Sequence, residues 1–150
     1  HCGPRKVGRD DTAVGGVKLL RLRHAHDAVR GDLAVIEFAE ALPFTPRRCF
    51  WTYRIPGGQV RGEHAHRLCS QFLVSAHGAC RLRLDDGRSQ EEIALDRPEI
   101  GVLVPPMVWA EACDHTSDSV LLVLASHAYD PEDYIRDYSE FLDLLKHKQP

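Results

Sequence analysis

From Cys80 to Leu84 the chain reads Cys-Arg-Leu-Arg-Leu, with Asp86-Gly87 just beyond. A period of two sends Cys80, Leu82 and Leu84 to one face of a strand and Arg81 and Arg83 to the other. Glycine after Asp86 supplies the positive φ that a tight hairpin needs. Residues 79–84 and 91–95 are therefore predicted to be strands joined by a reversal. The same grammar recurs at 17–23, 33–38, 48–54, 71–76, 101–104 and 119–126, where short apolar runs are cut by Gly, Pro and Asp. Many short strands between such turns predict an all-β fold, a jelly roll or β-barrel. The C-terminus breaks the pattern. Asp130 can cap a helix, Pro131 suits its first turn, and Glu132 and Asp133 suit the positive end of its dipole. Tyr134, Ile135, Tyr138, Phe141, Leu142 and Leu145 then follow at helical spacing, and Lys146, His147 and Lys148 close the run. This helix is expected to pack on the outside of the barrel.

A chain of 150 residues suits one domain. Residues 17–150 are read as that domain, and the polar, Gly-rich stretch 1–16 as a flexible leader. The net charge of −3 offers no basic field for nucleic acid or an anionic membrane. No apolar run is long enough to span a bilayer, and no signal peptide is evident. Cysteines stand at positions 2, 49, 69, 80 and 113 without a C-x-x-C pair. Buried free thiols in a reducing cytoplasm fit that spacing better than a disulfide framework.

The most informative stretch is Arg61-Gly-Glu-His-Ala-His66. On a strand, His64 and His66 share a face. Gln71 follows five residues after the second histidine and Gly78 seven residues later. Two imidazoles facing a cavity suit metal ligation or proton transfer. His24-Ala25-His26 repeats the tripeptide without the downstream Gln and Gly, and is read as surface or interface. Arg61 alternates away from the histidine pair unless Gly62 makes a bulge.

The spacing His64, His66, Gln71, Gly78 resembles the first signature of the cupin barrels, in which a carboxylate occupies the place of Gln71. The second signature falls on Pro106 to Glu111, with Val108 for its Gly and Glu111 for its His. Two of four metal ligands thus differ in type, and a neutral amide offsets a divalent charge poorly. The resemblance implies a cupin barrel whose cavity holds titrating imidazoles and no metal.

The wider run "RGEHAH", "LDDG", "GVLVPPMVWAE", "SVLLVLAS" and "YDPEDYIRDYSEFL" resembles the sugar 3,4-ketoisomerases, from about Val17 to Leu145. The resemblance implies a cofactor-free isomerase in the cytoplasm that acts on a thymidine-diphosphate-linked 4-keto-6-deoxyhexose. It also implies a homodimer with exchanged N-terminal strands. The ketone would move between C4 and C3 through an enediol(ate). By match to the first histidine of the family box, His64 is the base and His66 supports it or transfers a second proton. Arg48 is assigned to the enolate or a phosphate. Phe50 takes the place of a family tyrosine and lacks its hydroxyl, and Thr52 shares its face. Arg30 matches a family loop near the sugar, where Arg goes with the galacto-forming type. Arg61 and Gln71 are assigned to the ligand. Trp109 is expected at the cavity mouth, stacking thymine, and Glu111 beside an imidazole. Tyr134 and Arg136 are read as scaffold or dimer contacts. Three other readings compete. One is a metal-dependent cupin dioxygenase using His64, His66 and Glu111; the second is a non-catalytic sugar-nucleotide binder; the third is a 3,5-epimerase.

Overall fold

The computed structural model describes residues 7–148. Thirteen strands are present among them: β1 (Gly8–Asp11), β2 (Lys18–Arg21), β3 (Arg23–Asp27), β4 (Gly31–Val35), β5 (Arg48–Tyr53), β6 (Arg61–His66), β7 (Gln71–His77), β8 (Cys80–Asp85), β9 (Gln90–Leu95), β10 (Ile100–Val104), β11 (Trp109–Cys113), β12 (Val120–Ala125) and β13 (Tyr134–Ile135). Helix α1 is one turn, Phe38–Ala41, and α2 spans Tyr138–Lys148. A six-stranded sheet runs β1-β2-β10-β7-β12-β5, and a five-stranded sheet runs β13-β6-β11-β8-β9. A small β3-β4 ribbon stands apart from both. This is the expected all-β jelly roll of the cupin type with a C-terminal helix.

The period-two pattern built the inner core. Cys80, Leu82 and Leu84 are buried while Arg81 and Arg83 are exposed. Leu82 and Leu84 meet Leu73, Val102, Val104, Leu121 and Val123 from the facing sheet. Each such side chain contributes about 1.5–3 kcal/mol by leaving water. The Asp86-Gly87 reversal forms as expected, with Gly87 at φ 91°. Gly78 is fixed by space as well as by its φ of 65°. A Cβ there would lie 2.5 Å from the Thr116 hydroxyl. The glycine of the histidine box is thus demanded by the turn into β8.

Four expectations are corrected. Residues 1–6 of the anticipated leader lie outside the described residues, but Gly8–Asp11 is a strand paired with β2, and Val14 is core. Edge pairing imposed strand on a polar segment that carries no apolar alternation. The run at 17–23 is divided between β2 and β3, which join different sheets. The run at 33–38 yields only β4 before α1 begins. Finally, the C-terminal helix starts late. Asp130 caps a single 3-10 turn, Pro131–Asp133, by accepting a hydrogen bond from the Glu132 amide. The chain then pairs as β13 against β6, Tyr134 opposite His66 and Ile135 opposite Ala65. Only after that does α2 begin, seating Phe141 against Ala65, Trp109 and Ile135 on the outer face of the five-stranded sheet.

Candidate active site

Strand β6 carries the two imidazoles. It also carries the bulge that Gly62 was suspected of making. Gly62 and Glu63 both have positive φ, 88° and 52°. The register to β11 shifts there, with Ala110 opposite His64 and Glu111 opposite Gly62. Glycine is required at position 62 on two counts, since a Cβ would lie 2.8 Å from the Ala110 carbonyl oxygen. The extra residue turns Arg61 to the same side as His64. Both line a cavity of about 250 Å³ between the sheets, together with Phe50, Thr52, Gln71 and Tyr134.

His64 and His66 meet edge to face, with ring centroids 4.9 Å apart. The His64 Nδ1 donates to the Gly62 carbonyl at 2.8 Å. The His66 Nδ1 donates to Asp133 Oδ2 at 2.8 Å. Each bond leaves Nε2 as the bare nitrogen. The Nε2 of His66 is buried and has no partner. Such an atom costs about 1–3 kcal/mol unless something binds it. Asp133 itself is only 9% exposed, and its Oδ1 accepts from the Leu68 amide at 2.7 Å. Burial alone would raise the Asp133 carboxyl, but hydrogen bonds from His66 and Leu68 outweigh it and hold it below the usual range.

Cations surround this pair. Arg48 Nη2 donates to the Tyr134 hydroxyl at 3.4 Å. The Arg136 guanidinium lies 4.5 Å from the centre of the Tyr134 ring. The same ring is 4.9 Å from His64 and 4.4 Å from His66. Burial pulls His64 down to about 4, opposed by its bond to Gly62 and reinforced by the charges of His66, Arg136 and Arg48. Burial also lowers His66, against the pull of Asp133. Both imidazoles are therefore neutral at pH 7.

A stability consequence follows. Between pH 6.5 and about 4 the unfolded chain binds a proton at His64 that the folded site refuses. The contribution is fully present above pH 6.5 and is lost as pH falls toward 4. Urea unfolding at pH 7, 5.5 and 4.5 should show a falling midpoint, and His64→Gln should flatten that fall. Equal slopes in the two proteins would contradict the assignment.

A family model described as FdtA, WxcM-like, C-terminal matches residues 15–146. A TDP-4-oxo-6-deoxy-alpha-D-glucose-3,4-oxoisomerase of Aneurinibacillus thermoaerophilus is 46% identical over 112 residues, 75% of this chain and 81% of that protein. The chain belongs to the sugar 3,4-ketoisomerase family. Two solved structures of ketoisomerases agree with it closely. That from Helicobacter canadensis has a TM-score of 0.83 at 36% identity, covering 87% of this chain and 98% of its own. QdtA from Thermoanaerobacterium thermosaccharolyticum, a histidine-to-asparagine variant in complex with TDP-4-keto-6-deoxyglucose, has a TM-score of 0.86 at 32% identity, covering 90% and 97%.

In this ketoisomerase-family chain the cavity brings together His64, Phe50, Arg61 and Gln71, with Arg48 and His66 behind Tyr134. Two other expected ligand residues sit elsewhere. Trp109 is not at the cavity mouth. It is 6% exposed and packs on Tyr138 and Phe141, 5.3 and 5.8 Å between centroids. Alternation on β11 explains this, because Ala110 and Ala112 take the inner face and send Trp109 outward to α2. Arg30 lies at the tip of the β3-β4 ribbon, its side chain 84% exposed and paired with Asp27. Glu111, at the register shift, borders the cavity but accepts a hydrogen bond from Trp109 Nε1 at 2.9 Å. The carboxylate that orients an imidazole is Asp133, not Glu111.

Asp133, expected as a charge at a helix end, and Tyr134 and Arg136, expected as scaffold or dimer contacts, stand instead around the histidines. The helical spacing of their apolar neighbours concealed them. Read with a period of two, Tyr134 and Arg136 share a face, and the structure turns that face to the histidines. No helix among the described residues is long and apolar enough to cross a membrane.

Proposed function

We propose that this chain moves a keto group between C4 and C3 of a thymidine-diphosphate-linked 4-keto-6-deoxyhexose through an enediol(ate), without a metal. One observation carries the reading. His64 lines the cavity, and the bond from its Nδ1 to the Gly62 carbonyl leaves Nε2 bare. That arrangement is a base awaiting a proton. The relatives named above carry the same activity in their names.

The base role stays with His64, to which the family match gives it, because His64 lines the cavity and His66 does not. Burial draws His64 down to about 4 and so keeps it in the neutral form that accepts a proton. Asp133 fixes the tautomer of His66, which meets His64 edge to face and supports it. Arg48 and Arg61 are assigned to developing enolate charge and to phosphate, and Gln71 to a sugar hydroxyl. Phe50 forms part of the apolar wall.

We further propose a cytoplasmic homodimer with exchanged N-terminal strands. The β3-β4 ribbon exposes Val29 at 93% and Leu33 at 61%. It also borders a groove lined by Leu22, Ile36, Val74 and Leu122. A second copy would cover that apolar surface and carry Arg30 toward a cavity.

Incubation with TDP-4-keto-6-deoxyglucose, followed by NMR of the product, tests the activity. A ketone moved to C3 is expected. Deuterium from solvent at C5 without a shifted ketone would mean epimerisation. A substrate retained unchanged would mean a binding protein, and turnover that required added iron or manganese would mean a metal enzyme. Sedimentation of the same sample should report a dimer.

A further inference from the structure

We infer that Tyr134 carries the oxygen-bound proton of the isomerisation, an inference that rests on the ketoisomerase reading. Shifting a ketone by one carbon moves two hydrogens. One passes from C3 to C4, and an imidazole can carry it. The other passes from O3 to O4, and it needs a group that gives and takes a proton at oxygen.

Two hydroxyls line the cavity, those of Thr52 and Tyr134. An aliphatic hydroxyl gives up its proton far less readily than a phenol, whose ordinary pKa is about 10. Position also separates them. The Tyr134 ring stands beside both imidazoles, 4.9 Å from His64 and 4.4 Å from His66. Its hydroxyl accepts from Arg48 at 3.4 Å, and the Arg136 guanidinium lies 4.5 Å from its ring centre. Two cations beside the phenol favour the enediolate that forms against it. Strand β13 exists to hold this residue there, pairing Tyr134 directly with His66. The phenol thus stands where Phe50, on the facing sheet, supplies none.

The steps balance. His64 Nε2, on the cavity wall, takes the C3 hydrogen as a proton, and the electrons of that bond become the C3=C4 double bond. The carbonyl electron pair moves onto O4, which takes the phenolic proton of Tyr134. The phenolate then takes the proton of O3, and a C3=O bond forms. The C3=C4 pair takes the proton of His64 at C4. Both side chains are restored, and no external oxidant or reductant is needed.

Tyr134→Phe, assayed with TDP-4-keto-6-deoxyglucose in deuterium oxide, tests this. The variant keeps the ring and removes only the hydroxyl. Product formation should fall roughly 100-fold. Deuterium should still enter C3 of recovered substrate, because Arg48 and Arg136 still stabilise the enolate. The ratio of exchange to product should therefore rise by roughly tenfold or more. Affinity for thymidine diphosphate should be unchanged, and Thr52→Val should keep the wild-type ratio. Equal loss of exchange and product, or near-normal turnover, would overturn the role of Tyr134. A changed ratio in Thr52→Val alone would transfer the role to Thr52. Should the unmodified chain neither exchange nor convert this substrate, the fault lies with the ketoisomerase reading instead.

Discussion

Replacing His64 with alanine should reduce turnover of TDP-4-keto-6-deoxyglucose by roughly 1,000-fold or more, within the range for a general base. The loss should fall on kcat, and thymidine diphosphate should bind as before. His66→Ala should lose less in chemistry, because His66 lies behind the cavity lining and not on it. That substitution strands the Asp133 carboxylate, which is buried and loses one of its donors. If it fails to fold, His66→Asn keeps an amide that can donate to Asp133. Near-normal rates in His64→Ala beside an inert His66→Asn would move the base to His66. Circular dichroism and nucleotide titration separate a damaged fold from a missing base.

Phe141→Ala should destabilise the protein by about 3–5 kcal/mol, the usual cost of emptying an aromatic site in a core. Phe141 is fully buried and packs with Ala65, Trp109 and Ile135. The melting temperature should fall by roughly 10 °C for a chain of this size. Activity should fall too, since Ala65 lies between the two histidines on β6 and Ile135 follows Tyr134 on β13. Leu68→Ala, at a side chain 67% exposed, should change stability by less than about 0.5 kcal/mol. Thermal unfolding of the two variants side by side reads the difference. A small effect at Phe141 would mean that α2 is loosely attached and does not support β6 and β13.

Much of the fold was legible because burial in a sandwich imposes a period of two. Residues 80–84 show it, 119–126 show the unbroken apolar run of a strand covered on both faces, and both became strands where expected. The strand Trp109–Cys113 was missed, since Pro105-Pro106 and a small-residue run disguise it. Its pairing to β6 and β8 comes from neighbours and not from its own preferences. The C-terminal segment misled in the opposite way. Apolar residues from Tyr134 to Leu145 fit a helical repeat, but the first two of them complete a sheet edge instead.

The sequence by itself determined the class of the fold, the two imidazoles on one strand and the family to which they belong. Local periodicity and fixed spacing are properties of the chain, and they survive without any partner. Only the tertiary structure decided which groups surround those imidazoles. Asp133 reaches His66 across 67 residues, and Tyr134 lies against both rings, because β13 pairs with β6. Gly62 turns Arg61 inward for the same kind of reason, a register shift against β11. Charge, orientation and the bare nitrogen at His66 arise from contacts between distant segments, and no local pattern in the chain encodes those contacts.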